Sequence, residues 1–198
     1  MRAFEAADIT NPPPKNAIEF IGSSSIKRWT TLAADFAGHK VFNRGFGGSH
    51  LCDSLAFADR IVIPYQPKLV VLYAGDNDIA SGKSPEQVFA DFKAFVAKVQ
   101  AALPETRIAY VSIKPSPSRM RFVEQFKTTN RLIREFAARD EKLIYLDVFT
   151  PMLGSDAQPR AELFVSDQLH LSEAGYKLWT GVLKPVLDKL DPPASGKR

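Results

Sequence analysis

The sequence predicts an α/β fold of three layers around a parallel sheet, and three observations carry that prediction. Short apolar runs rich in β-formers alternate with longer stretches of helical periodicity, the pattern of strand–helix–strand crossovers. The run "KLVVLYA" (68–74) is apolar nearly throughout, as a strand buried on both faces is. No internal repeat divides the 198 residues, a length that suits one domain with a full core.

Five segments read as strands: 17–21 (AIEFI), 40–43 (KVFN), 68–74, 107–113 (RIAYVSI) and 142–148 (KLIYLDV). The helices between them carry their own signals. Ser84-Pro85-Glu86-Gln87 reads as an N-cap with Pro at the first helical position and Gln closing a capping box. Val88, Phe92, Phe95, Val96, Val99 and Leu103 then recur on one face, so the Phe-rich helix 85–103 belongs to the core and is no lipid-binding stripe. A second long helix is expected over about Arg119–Arg139, with Phe122, Phe126, Leu132, Ile133 and Phe136 inward. A third follows Ser172, with Tyr176, Trp179, Val182 and Leu183 inward. The chain thus divides into an N-terminal extension (1–16), one domain (17–190) and a tail (191–198, DPPASGKR) expected to be disordered.

Composition excludes several classes. Hydrophobic residues make up 45% and charged residues 24%, ordinary values for a folded domain. No apolar run approaches the ~18 residues that membrane insertion needs. The start, MRAFEAADITNPPPK, has no apolar core, so it reads as no signal peptide; the default is cytoplasmic, with a secreted or periplasmic location left open to a longer precursor. The net charge of +4 is spread out. Lys27-Arg28 and Arg119-Met120-Arg121 read as solvated faces, and no aromatic–basic interleaving marks a nucleic-acid platform. Cys52 is the only cysteine, so no intramolecular disulfide exists, and it reads as a small buried residue.

Ligand sites in parallel α/β folds lie beyond the carboxyl ends of the strands. Four loops fall there: Gly22-Ser23-Ser24-Ser25, NRGFGGSH (43–50), GDNDIASGK (75–83) and KPSPSR (114–119). A fifth segment, SDQLHLSEAGY (166–176), holds Asp167 three residues before His170. On such a turn the carboxylate accepts from Nδ1–H and leaves Nε2 as a base. Of the three histidines, only His170 has an acid at this spacing; His39 reads as surface, and His50 lies near the pocket as a possible but disfavoured substrate contact. A hydrolytic site needs a nucleophile, a base, an orienting acid and oxyanion donors. A serine of the first loop, Asp167 and His170, with donors from Gly48 and Asn77, supply all of these.

These blocks resemble the SGNH/GDSL hydrolase (lipase/esterase) superfamily, in a Gly-Ser-Ser-Ser variant of its first block. Gly22-Ser23-Ser24 stands where the family has Gly-Asp-Ser, so the resemblance makes Ser24 the nucleophile, and Trp29 stands five residues on as it often does in members. Gly48 of Gly47-Gly48 matches the second block, Gly75-Asp76-Asn77-Asp78 the third and Asp167-Gln168-Leu169-His170 the last. The resemblance implies a flavodoxin-like, three-layer αβα fold with strand order 2-1-3-4-5. It also implies a catalytic Ser24–His170–Asp167 triad and an oxyanion hole of Ser24, Gly48 and Asn77. It calls for no cofactor and no metal.

Ser23 occupies the usual Asp position; it and Ser25 read as helix caps. Asp78 reads as a structural residue tying loops together. The expected function is hydrolysis of carboxylic esters of small acyl groups, acetyl or short-chain, on an alcohol that includes carbohydrate among its candidates. The alternatives are a lysophospholipase or acyl thioesterase of the same superfamily, a non-catalytic α/β binding module, and a flavodoxin-like nucleotide or flavin binder. The GFGG glycines do not complete a dinucleotide loop, because position 50 is His. The expected partner is a small-molecule ester, with no nucleic acid and no membrane insertion; a homo-oligomer stays open.

Overall fold

The structure, a computed structural model, describes residues 1–192. Five parallel strands, β1 (Ile18–Gly22), β2 (Val41–Gly45), β3 (Leu69–Tyr73), β4 (Arg107–Val111) and β5 (Leu143–Leu146), form a sheet of order β2-β1-β3-β4-β5. The strand order is the one the resemblance implies. β1 is the hinge of the topology: it pairs with β2 on one side and β3 on the other, with Gly22 opposite both Gly45 and Tyr73. Carboxyl ends diverge at such a switch point, and a crevice opens there.

The helices are α1 (Arg2–Thr10), α2 (Ser24–Lys27), α3 (Leu32–Asp35), α4 (Leu51–Ile61), α5 (Asp76–Ala80), α6 (Pro85–Ala102), α7 (Val123–Ala137) and α8 (Glu173–Leu190). Each face of the sheet has its own core. On one, Ile21, Val70, Leu72, Ile108 and Tyr110 pack against residues of α4, α6 and α7. On the other, Ile18, Phe20, Val71, Tyr73 and Val111 pack against Trp29, Phe36 and Trp179, Leu183 and Leu187 of α8. Alternate residues of a strand feed opposite cores, as the two-residue period requires.

The capping box at Ser84 is present in both directions, with Gln87 N donating to Ser84 Oγ and Ser84 N donating to Gln87 Oε1 at 2.8 Å. The helix expected from Arg119 starts later. Residues Pro117–Phe122 form 3-10 turns broken at Arg119 (φ −121°, ψ 15°), and the α-helix proper runs from Val123. The segment expected as a bare extension contains α1, which docks on the domain. Its Asp8 meets Arg44 of β2 and the Tyr65 hydroxyl, and its Glu5 pairs with Arg60 of α4.

Two further expectations change. His39 is not at the surface: its side chain is fully enclosed before β2, with Nε2 2.7 Å from Asp188 and Nδ1 3.2 Å from Asp191. Of the tail 191–198, residues 193–198 lie outside the described residues, and Asp191 is tied to Lys68 at 2.5 Å. No helix of the described residues is long and apolar enough to cross a membrane.

Candidate active site

The loop after β1 brings Ser24 to the carboxyl edge. Gly22 makes this turn at φ 124°, and a Cβ there would sit 1.9 Å from the Tyr73 carbonyl oxygen, so no other residue fits. The turn hands the chain directly to α2, whose first residue is Ser24. Its N–H therefore has no partner within the helix. Ser24 is half-buried, whereas Ser23 and Ser25 are buried.

The expected caps are absent. Neither the Ser23 nor the Ser25 hydroxyl has a hydrogen-bond partner, and no side chain caps α2. Their backbones do the bonding: Ser23 N donates to the Tyr73 carbonyl at 2.9 Å, and the Ser25 carbonyl accepts from Tyr176 Oη at 2.9 Å.

His170 comes from a turn ahead of α8 and meets Ser24 across 146 residues of sequence. Its Nε2 lies 3.0 Å from Ser24 Oγ, and its Nδ1 2.6 Å from Asp167 Oδ2. Asp167 Oδ1 accepts the backbone N–H groups of Leu169 and His170, both at 2.9 Å. The Nδ1–H bond and these backbone donors hold the Asp167 carboxyl well below the usual carboxylate range. The imidazole is thus gripped at one nitrogen by a permanent anion and open at the other toward a hydroxyl.

Gly48 lies in the loop after β2 at φ 74°, exposed, with nothing within 4 Å of where a Cβ would be. Asn77, in the first turn of α5, donates from Nδ2 to the Ser49 carbonyl at 3.0 Å, which ties the β2 and β3 loops together and leaves a second amide hydrogen. Asp78 reinforces the tie by accepting Leu51 N–H on both oxygens at 3.1 Å.

Below Asn77 lies a charged cluster that the sequence reading missed. Asp76 is buried and accepts from Arg119 Nη1 at 2.8 Å and Lys114 Nζ at 3.3 Å. Lys114, also buried, donates to Tyr73 Oη at 3.1 Å. Burial pushes the Asp76 carboxyl up, but the Lys114 and Arg119 charges outweigh it and hold it below its ordinary value. Arg119 is therefore not part of a solvated face. The only signal in the sequence was the presence of Asp76, Lys114 and Arg119 in two of the strand-end loops.

Outside this cluster, His50, Cys52 and Asp78 place donor atoms within 4.8 Å of one another, the sort of grouping that holds a metal. Lys83 Nζ lies against two of these three, 3.1 Å from Cys52 Sγ and 3.2 Å from Asp78, and 2.7 Å from Asp91. Cys52 is half-buried against this ammonium rather than packed in apolar core. His50 caps α4, with Nε2 3.2 Å from Ser81 Oγ.

The three-layer αβα fold, with a serine, a histidine and an aspartate in hydrogen-bond series at its switch point, has the architecture of a GDSL/SGNH-type hydrolase. The chain belongs to the GDSL-like lipase/acylhydrolase family, whose sequence profile matches residues 20–178. It is an ester hydrolase of that family. It is 28% identical over 181 residues to platelet-activating factor acetylhydrolase IB subunit alpha1 of Bos taurus, covering 86% of this chain and 73% of that protein. Its fold is similar to that of a GDSL-like lipase from Bacteroides thetaiotaomicron (TM-score 0.79, 20% identity, 96% of this chain and 97% of that one). It is also similar to a carbohydrate esterase family 3 structure from Talaromyces cellulolyticus (TM-score 0.71, 14% identity, 90% and 99%).

Proposed function

We propose that Ser24 attacks the carbonyl of a small acyl ester while His170 Nε2 takes its proton. The alkoxide–carbonyl adduct places its negative oxygen among the N–H of Ser24, the N–H of Gly48 and the free amide hydrogen of Asn77. Asp167 keeps the imidazole in the Nδ1–H tautomer and balances the imidazolium. The adduct collapses, His170 returns the proton to the leaving alcohol, and an acyl-Ser24 remains. Water, deprotonated by the same nitrogen, adds to the acyl carbonyl; the second adduct breaks its bond to Ser24 Oγ, His170 returns the proton to that oxygen, and the acid leaves. Every proton is accounted for by one imidazole.

The observation that carries this reading is the unbroken chain Asp167–His170–Ser24 at 2.6 and 3.0 Å, assembled from opposite ends of the sequence. One support favours acetyl or short-chain groups. The Bos taurus relative is by name an acetylhydrolase, and the fungal neighbour a carbohydrate esterase, which makes an acetylated alcohol or sugar the first substrate class to assay.

The test uses p-nitrophenyl esters and a fluorophosphonate label. Ser24→Ala is expected to lose label and turnover, by about 10⁴-fold or more in kcat; retained turnover overturns the assignment. Rates are expected to fall steeply from acetyl to octanoyl esters, and the opposite trend rejects the small-acyl reading.

A further inference from the structure

We infer that Arg119 is a positioning residue that fixes the side-chain amide of Asn77 in its donating orientation; the inference rests on the oxyanion role proposed above.

A carboxamide has two faces of nearly equal shape, and only one of its orientations offers N–H to an oxyanion. Asn77 is held on both sides. Nδ2 donates to the Ser49 carbonyl at 3.0 Å, and Oδ1 accepts from Arg119 Nη2 at 2.9 Å. Turned over, the amide oxygen would face the Ser49 carbonyl and the NH₂ would face the guanidinium, two repulsive contacts in place of two bonds. The free N–H then points one way. A cation on the amide oxygen also polarises the amide and strengthens that N–H as a donor, since hydrogen bonds in series reinforce one another.

Arg119 reaches this position as one arm of a fork. Nη1 bonds Asp76 at 2.8 Å while Nη2 bonds Asn77, so the planar guanidinium spans two consecutive residues at the start of α5. Asp76 is anchored from behind by Lys114, and Lys114 by Tyr73. Had Arg119 served only to neutralise Asp76, Lys114 already supplies a buried counter-charge, and the arm to Asn77 would have no role. A lysine has one point of charge and does not bridge both partners.

The experiment is a double-mutant cycle on p-nitrophenyl acetate with Asn77→Ala, Arg119→Ala, the double variant and Arg119→Lys, reading kcat and KM separately and checking each fold by circular dichroism. Asn77→Ala is expected to lower kcat by about 10²–10³-fold, the loss typical of an oxyanion donor. Arg119→Ala is expected to lower kcat by about 10–100-fold with KM within about threefold, and to cost less than about threefold once Asn77 is gone. Arg119→Lys keeps the ion pair with Asp76 and is expected to fold, yet to remain about tenfold down in kcat.

Equal losses in both backgrounds overturn the inference. So does wild-type kcat in Arg119→Lys, and so does a rise in KM at unchanged kcat, which would make Arg119 a contact to substrate. If Asn77→Ala or Ser24→Ala keeps wild-type turnover, the proposed site itself fails and this inference with it. If both lose turnover while the Arg119 variants do not, only the inference falls.

Discussion

Two histidines lie at opposite edges of the same sheet, each within hydrogen-bond distance of an aspartate. His39, before β2 at the amino edge, has carboxylates on both nitrogens, Asp188 at 2.7 Å and Asp191 at 3.2 Å, and no exposed side-chain surface. His170, at the carboxyl edge, has a carboxylate on one nitrogen only, and its other nitrogen faces Ser24 Oγ in a side chain that keeps 16% of its surface open. The residue types are the same and the geometry of the first bond is nearly the same. What separates a structural pin from a base is what the second nitrogen meets. At His39 both nitrogens face carboxylates; at His170 one faces a hydroxyl. The comparison also shows why a His–Asp contact alone identifies no site: ligand sites of parallel α/β sheets lie beyond the carboxyl edge, and only His170 stands there.

The widest gap between the two is expected in turnover. His170→Ala is expected to lower kcat by about 10⁴-fold or more with little change in Tm, and His39→Asn to leave kcat within about twofold. Steady-state kinetics on p-nitrophenyl acetate checks both. A loss of turnover in His39→Asn without a loss of fold would break the distinction. The acids sharpen it. Asp167→Asn removes the acceptor that selects the His170 tautomer and is expected to cost about 10³–10⁴-fold in kcat. Asp188→Asn, by the same measurement, is expected to cost nothing.

The candidate site was legible in the sequence because its blocks stand in order. Ser24, Gly48 and Asn77 follow strand ends, which a parallel α/β pattern sends to one edge, and the spacing of Asp167 and His170 before the cap of α8 marks the last block. His39 was misread because its partners stand 149 and 152 residues away on α8 and just beyond it, and no local pattern announces a contact of that separation. Arg119 was misread for a related reason. In sequence it begins a short basic run, and only its partner 43 residues earlier, Asp76, turns it inward. Pairings between distant loops depend on where the backbone carries them, as does the late start of α7 after the 3-10 turns at Pro117–Phe122. The unpartnered Ser23 hydroxyl shows the same limit: a cap is read from sequence position, but burial decided that this one makes no bond.

Stability reverses the ranking of the two histidines. His39→Asn removes the bonds that pin the end of α8 to the β2 edge and leaves two carboxylates close together. A loss of about 1–3 kcal/mol is expected, roughly 2–12 °C in Tm for a domain of this size. The hydrogen bond from His39 holds the Asp188 carboxyl below its ordinary value. A depressed carboxylate stabilises the fold above the unfolded-state carboxylate range, and that stabilisation is lost as pH falls through the folded value. The difference in Tm between wild type and His39→Asn is therefore expected to narrow on acidification through and below the ordinary carboxylate range, a trend that thermal melts between neutral and acid pH measure. A gap that widens in acid would show that the pin acts by packing rather than by charge.

The smallest effect concerns an acid with no such partner. Glu19, in the middle of β1, is fully buried, and neither oxygen accepts a hydrogen bond. Burial pushes its carboxyl well above the ordinary value, and the Arg44 charge offsets this only in part. The sign is opposite to that of Asp188. The folded state binds the proton more tightly than the unfolded chain, so stability falls as pH rises from the unfolded-state value near 4.5 toward the folded one. Glu19→Gln cannot ionise and loses this slope. Its absolute Tm carries an unpaired amide in the core, so the informative quantity is the difference from wild type at each pH. That difference is expected to shift in favour of the variant as pH rises above the unfolded-state carboxylate range. A flat difference there would mean that Arg44 fully compensates the charge and that Glu19 is ionised in the core. The acid on β1 would then belong with Asp188 and Asp191, as a paired anion, and the contrast between partnered and unpartnered carboxylates would fail at this position.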